Sequence, residues 1–327
     1  MPAPGAARRH HVVPNFLLSR FALPASSKGV LHALDKHTGR VIASSSANVT
    51  VKKDFYVLPD DPELGGYDRD LPEQDFARIE AAAAPIVREI VAGDARLEVF
   101  ERRATMAMFI STMRARTPRE REQFSQSSEV SLNELAREAG ADPQRLREYL
   151  RKTGEDDSDQ AVGAFAVRIK DAWESGDLKI LTPPDRSLGT LLEVAAHMTA
   201  TIDELAWWLV RSAPEQPFVI SDCPVAMFDA ALRPGRGNAF RSSPIAQTTL
   251  PLDPGACLLL DSSDSYFKER GPIDSEEVEN INMRTYAWAD RWVFAGQPDT
   301  LTALHERALA DPQLMERIEP RPYFTAP

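Results

Sequence analysis

Cysteine is nearly absent from this chain: its 327 residues hold two, Cys223 and Cys257. Two thiols build neither a disulfide framework nor a zinc site of their own, and that usage suits a reducing compartment. Histidine is almost as scarce, at six residues, and none of the six stands in the paired helical spacing of a zinc protease. No glycine-rich dinucleotide fingerprint, no P-loop and no GxSxG elbow occurs, so three common enzyme classes lose their usual signatures. Long apolar runs are missing too. The best candidate, Leu188 to Val210, carries Glu193, His197, Asp203 and Glu204, which a membrane-spanning helix does not tolerate at depth. Arg8-Arg9 precede an apolar stretch from Val12 to Ala22, but Pro14, Asn15, Ser19 and Arg20 interrupt it, so no export signal is expected. Positive charge is also in deficit: 38 basic against 49 acidic residues leave a net charge of −11. A whole-surface attraction for nucleic acid or an anionic membrane is thereby excluded, and only a local basic patch remains open. A cytoplasmic protein without a membrane partner is the expectation.

What is present is ordinary globular composition, 43% hydrophobic, 27% charged and 8% aromatic. The pattern predicts an α+β fold, helix-rich, with an N-terminal β-hairpin and a mainly antiparallel C-terminal sheet wrapped by helices. One large domain over 1–327 is expected, with strands in 1–58, a helical middle in 72–213 and a sheet region in 214–327. Residues 30–34 and 40–43 flank Asp35-Lys36-His37-Thr38-Gly39, whose Asp and Gly suit a tight hairpin turn. A third strand is expected from Val49 to Val57. Helices are expected from Pro72 to Ala92, Leu97 to Arg116, Ser131 to Gly140, from Asp142-Pro143 onward, and up to Gly176. A long amphipathic helix begins near Leu188, with Leu191, Leu192, Ala195, Met198, Ile202, Leu205 and Leu209 on one face. Strands at 218–220, 246–250 and 256–260, a helix at 274–287, a strand at 292–295 and a helix at 300–310 complete the chain.

Few residues carry chemistry. Ser221-Asp222-Cys223-Pro224-Val225 follows a buried strand, where a carboxylate serves either a site or the amides of its own turn. Cys223 has no evident base nearby and reads as a buried thiol. Residues 131–152 place Ala136, Gly140 and Leu146 where a helix-turn-helix wants them, with Gln144, Arg145 and Glu148 outward. From Arg114 to Lys152 there are nine basic and seven acidic residues, a weak patch for a DNA reader, and packing alone is the commoner use of such a pair. Glu193 and His197 are spaced as a surface pair, and Trp207-Trp208 as core.

Taken in order, His10-His11-Val12-Val13-Pro14, Asn48 with Phe55-Tyr56, Glu80, FISTMRARTP (109–118), Trp208, FVISDCPV (218–225), PLDP (251–254) and Asn282 resemble a mostly bacterial family, the domain of unknown function 4238 proteins. The likeness spans nearly the whole chain. Cys223 departs from it, since Asn is expected there. The family name implies no activity; it implies a shared polar set, His11, Asn48, Glu80, Arg116, Ser221, Asp222 and Asn282, that is best explained by one site if these residues converge in space.

The resulting expectation is a hydrolase acting on an anionic substrate, with a phosphodiester as the candidate. His11 is the general acid/base, because imidazole titrates near neutrality. Asp222 and Glu80 orient it or hold a divalent cation such as Mg or Mn. Arg116 binds the anionic group, with Asn48, Ser221 and Asn282 as further substrate contacts. A small molecule and a nucleic acid are both open as substrate. A DNA-binding regulator using 131–152 and a protein whose polar set only braces the fold are the competing readings.

Overall fold

The computed structural model describes residues 9–23, 29–58, 68–94, 97–181, 187–229, 246–263 and 267–320. In chain order the elements are β1 Arg9–His11, α1 Asn15–Leu18, β2 Val30–Asp35, β3 Val41–Ser45, β4 Val51–Lys53, α2 Leu71–Ala92, α3 Phe100–Ala115, α4 Pro118–Ala141, α5 Pro143–Thr153, α6 Asp159–Ser175 and α7 Ser187–Asp203. There follow β5 Ala206–Arg211, β6 Ile220–Ser221, β7 Ala226–Phe228, β8 Gln247–Asp253, β9 Ala256–Asp261, β10 Phe267–Arg270, α8 Ser275–Trp288, β11 Trp292–Ala295, α9 Pro298–Ala310 and α10 Pro312–Ile318. The protein is α+β, as its pattern predicts.

A five-stranded sheet runs β10-β5-β9-β8-β7, antiparallel except for the parallel pair β10–β5. Alternation along β5 and β9 decides what covers each face. Trp207, Leu209, Leu258 and Leu260 pack with Ile86, Val87 and Ile90 of α2 and Met106 and Ile110 of α3. Val210, Cys257 and Leu259 point the other way and meet Val278 and Ile281 of α8. Each such buried side chain contributes roughly 1.5–3 kcal/mol relative to exposure, so the sheet is stabilised from both sides.

The second sheet, β3-β2-β11-β6, joins chain segments from opposite ends. The β2–β3 hairpin forms as its sequence predicts. Gly39 adopts φ +71° in its turn, its N–H donates to the Asp35 carbonyl at 2.8 Å, and the Asp35 carboxylate takes the His37 amide at 3.0 Å. Strand β11 lies between β2 and β6 and carries Val293 and Ala295 towards α8 and α9. A separate two-stranded ribbon pairs β1 with β4, matching Arg9 to Lys53, His10 to Lys52 and His11 to Val51. The third strand expected over 49–57 is thus shorter and leaves the hairpin to pair with the histidine segment.

Two helix expectations need correction. The helix from Leu188 stops at Asp203, and Ala206-Trp207-Trp208-Leu209-Val210-Arg211 is a strand. Aromatic and branched residues favour the pleated surface there, and Arg103 fixes the break by donating to the carbonyls of Asp203 and Leu205. Ser131 does not begin a helix; it lies inside α4, whose cap is Thr117, accepting from the Glu120 amide. The next helix does begin at Pro143, capped by Asp142. A single residue therefore joins α4 to α5, where a helix-turn-helix has a turn of three or four. The DNA-reading arrangement loses its premise, and this pair packs with α6 through Leu146, Leu150 and Val162. The expected Glu193–His197 surface pair is instead a contact of His197 Nδ1 with the Glu193 carbonyl at 2.8 Å. Among the described residues, no helix is long and apolar enough to cross a membrane.

Candidate functional site

The short strand β1 sends its two histidines to opposite sides, as strand alternation requires. His10 is buried, stacks on the Tyr56 ring at 5.3 Å and accepts the Tyr56 amide on Nδ1 at 2.7 Å. His11 is half-buried, and its Nδ1 is shut away from solvent with no hydrogen-bond partner among the described residues. Burial holds its imidazole below its ordinary value; Glu80 opposes that shift, and Arg9 and Arg116 reinforce it. His11 is accordingly neutral near pH 7, able to accept a proton.

Arg116 follows directly on the last turn of α3 and is almost completely buried. Its Nε donates to the Val12 carbonyl at 2.9 Å and its Nη1 to Glu80 Oε1 at 2.6 Å, while the guanidinium lies 5.2 Å from the centre of the Phe76 ring. Its Nη2 is buried without a partner among the described residues. Glu80 lies on α2 with its side chain 27% exposed, so the cluster reaches the surface through this carboxylate. Glu73 stands two helical turns earlier on α2, and burial raises its carboxyl against the pull of Arg116. The Glu73–Glu80 spacing of seven was the available sequence signal for it, since that interval returns to one helix face. The hydroxyl of Tyr56 caps the group, 3.4 Å from the Arg116 carbonyl.

The C-terminal members of the expected set hold backbone groups. Asp222 is 7% exposed; its Oδ1 accepts the Asp290 amide at 2.8 Å, and its Oδ2 accepts the amides of Arg291 and Trp292 at 3.0 Å each. Burial nonetheless dominates and raises its carboxyl to about 6. Ser221 Oγ donates to the Cys223 carbonyl at 2.9 Å and accepts the Cys223 amide. Asn282 accepts the Val219 amide and donates to the Pro217 carbonyl, both at 3.0 Å, so α8 pins the approach to β6. Burial pushes the Cys223 thiol up, which keeps it protonated and inert. The expected roles of Ser221 and Asn282 as substrate contacts are therefore corrected: their polar groups already hold backbone.

Asp222 does share one feature with Asn48. Both line a cavity of about 280 Å³ between the β1–β4 ribbon and the β3-β2-β11-β6 sheet, with Val12, Ile42, Trp292 and Phe294 in its wall. Asn48 Oδ1 accepts from Arg9 Nη2 at 2.9 Å. Val12 connects the two neighbourhoods, since its carbonyl holds Arg116 while the residue itself lines the cavity. The charges acting on His11 are Glu80, Arg9 and Arg116; those acting on Asp222 include Asp290. Glu80, and not Asp222, is among the charges that act on His11. A divalent cation does not fit either. Glu80 is already neutralised by Arg116, Asp222 by three amides, and among the described residues no group of three or more His, Cys, Asp or Glu side chains is placed to hold a metal.

No curated protein and no solved structure matches the chain. A family model does, over residues 9–299, a span containing every residue of this cluster. The chain belongs to the family described as protein of unknown function (DUF4238).

Proposed function

We propose that this protein is a hydrolase acting on an anionic substrate, a phosphodiester being the candidate, with His11 as its acid/base group. The observation that carries this reading is the pair of orphaned buried nitrogens, His11 Nδ1 and Arg116 Nη2, on two side chains that share Glu80 as a neighbour. Buried polar atoms are almost always paired, so two unpaired ones beside a half-open carboxylate suit a substrate or an attacking water. In this reading neutral His11 takes a proton from water as the oxygen bonds to phosphorus. The same proton returns to the leaving oxygen as the old ester bond breaks. Arg116, fixed by Val12 and Glu80, has its Nη2 group left for the developing charge. Glu80 stabilises the imidazolium while it lasts. Asp222 takes no part in this chemistry.

The test is hydrolysis of bis(p-nitrophenyl) phosphate and p-nitrophenyl phosphate by the full chain and by His11→Ala. Turnover should fall by roughly 10²–10⁴ in the variant, with an unchanged melting temperature. Equal rates in both proteins, or no turnover of either ester by the unaltered chain, would reject the proposal.

A further inference from the structure

The cavity between the ribbon and the four-stranded sheet adjoins the His11 cluster at Val12, but its wall includes none of His11, Glu80 and Arg116. Its volume, about 280 Å³, is nearly twice that of an engineered apolar cavity of about 150 Å³ known to take up benzene. It therefore has room for a two-ring molecule or a ring with a short arm. Most of its wall is apolar: Val12 from the ribbon side, Ile42, Trp292 and Phe294 from the sheet. Trp292 and Phe294 come from the same short strand, two residues apart, and so from one face of it. That wall suits a flat aromatic body.

Two charged residues border the space, and they differ in kind. Lys52 is exposed, with its ammonium 5.3 Å from the Phe55 ring, so it can swing away. Asp222 is held in place, because the backbone amides of Asp290, Arg291 and Trp292, in β11 and the turn before it, clamp its carboxylate. Oδ1 takes only one of those three, and a carboxylate oxygen accepts two. Asp222 is thus the fixed polar residue of the cavity wall, with one accepting position on Oδ1 that no described residue fills. We propose that this cavity binds a small aromatic ligand bearing an amine or a ring N–H, with the aromatic body against Trp292 and Phe294 and the nitrogen donating to Asp222.

This proposal does not depend on hydrolysis at His11, and its readout is binding. Tryptamine and indole-3-propionate have the same ring system and similar size but opposite charge. Calorimetric titration of the full chain should show tryptamine binding at least about tenfold more tightly than the acid, since an ionised pair with a buried carboxylate is favourable and two like charges are not. The indole N–H resonance of Trp292 should move on adding tryptamine. Ser44→Phe, at a half-buried wall position on β3, should fill the space and abolish binding with the melting temperature retained; Ile42→Trp does the same if the first variant folds poorly. The proposal is overturned if the acid binds as tightly as the amine, if neither binds at millimolar concentration, or if a folded cavity-filling variant still binds tryptamine.

Discussion

The N-terminal and C-terminal halves of the polar set use similar residues to opposite ends. Around Asp222 and Asn282, side-chain oxygens accept main-chain amides: three for the aspartate, one for the asparagine, whose amide group also donates to a carbonyl. Around His11 and Arg116, one nitrogen on each side chain is buried with nothing among the described residues to bond. A side chain engaged with backbone holds a loop in place. One that leaves a buried polar atom unmatched raises the energy of the fold, and a ligand is the ready explanation for its retention. Membership in one family does not distinguish these two uses; only the pattern of hydrogen bonds does.

The largest effect should come from breaking the braced half. Asp222→Ala leaves the amides of Asp290, Arg291 and Trp292 without an acceptor at the entry to β11, the strand that joins β2 to β6. At roughly 1–3 kcal/mol per buried group left unpaired, the loss should be at least about 3 kcal/mol in urea unfolding. His11→Ala should change stability by less than about 1 kcal/mol, since His11 Nδ1 has no bond to lose. Comparable losses from the two variants would erase the contrast between the halves.

A second effect of similar size is a pH dependence. The Asp222 carboxyl is raised from 3.8 to about 6 in the fold, so the fold disfavours its ionised form. Its contribution to stability is therefore full below about pH 4 and lost as the pH rises through about 6. A tenfold change in proton affinity corresponds to ~1.4 kcal/mol, so the whole span is about 3 kcal/mol. Asp290, Cys223 and Lys36 also act in this neighbourhood. The effect of Asp222 is isolated by subtracting the curve of Asp222→Asn, which keeps an accepting oxygen and cannot titrate. A difference curve flat between pH 4 and 7 would show that the three amides outweigh burial at this carboxylate.

Local chemistry in the sequence is enough for some of these features and not for others. The β2–β3 turn is legible because Asp35 and Gly39 do their work within five residues. Strand β5 is not, because Leu205 and Leu209 continue the apolar spacing of α7. What ends the helix is Arg103, a residue of another helix that reaches the carbonyls of Asp203 and Leu205. The fusion of Ser131 into α4 has a related cause: its capping signal is genuine but goes unused inside a helix already begun at Thr117. In the candidate site, Arg116 pairs with Glu80, and both charges act on His11. The assignment of Asp222 to the same group was not decidable, because a carboxylate after a strand looks alike whether its amide partners are near in sequence or, as here, about 70 residues away in β11 and the turn before it.

The smallest and sharpest test concerns Glu80 alone. Glu80→Gln keeps an oxygen to accept from Arg116 Nη1 but removes the charge that opposes the burial effect on His11. The imidazole, already held below its ordinary 6.5, should then titrate lower still, followed through its ring C–H resonances in a pH series. The sign for stability is opposite to that of Asp222. A histidine with a depressed value stabilises the fold above about 6.5 and loses that contribution as the pH falls, so the variant should become more acid-sensitive through this group. An upward or absent shift would mean that Glu80 serves only to anchor Arg116. His11 would then lack the carboxylate that an acid/base residue needs beside it, and the N-terminal half would join the C-terminal one as bracing.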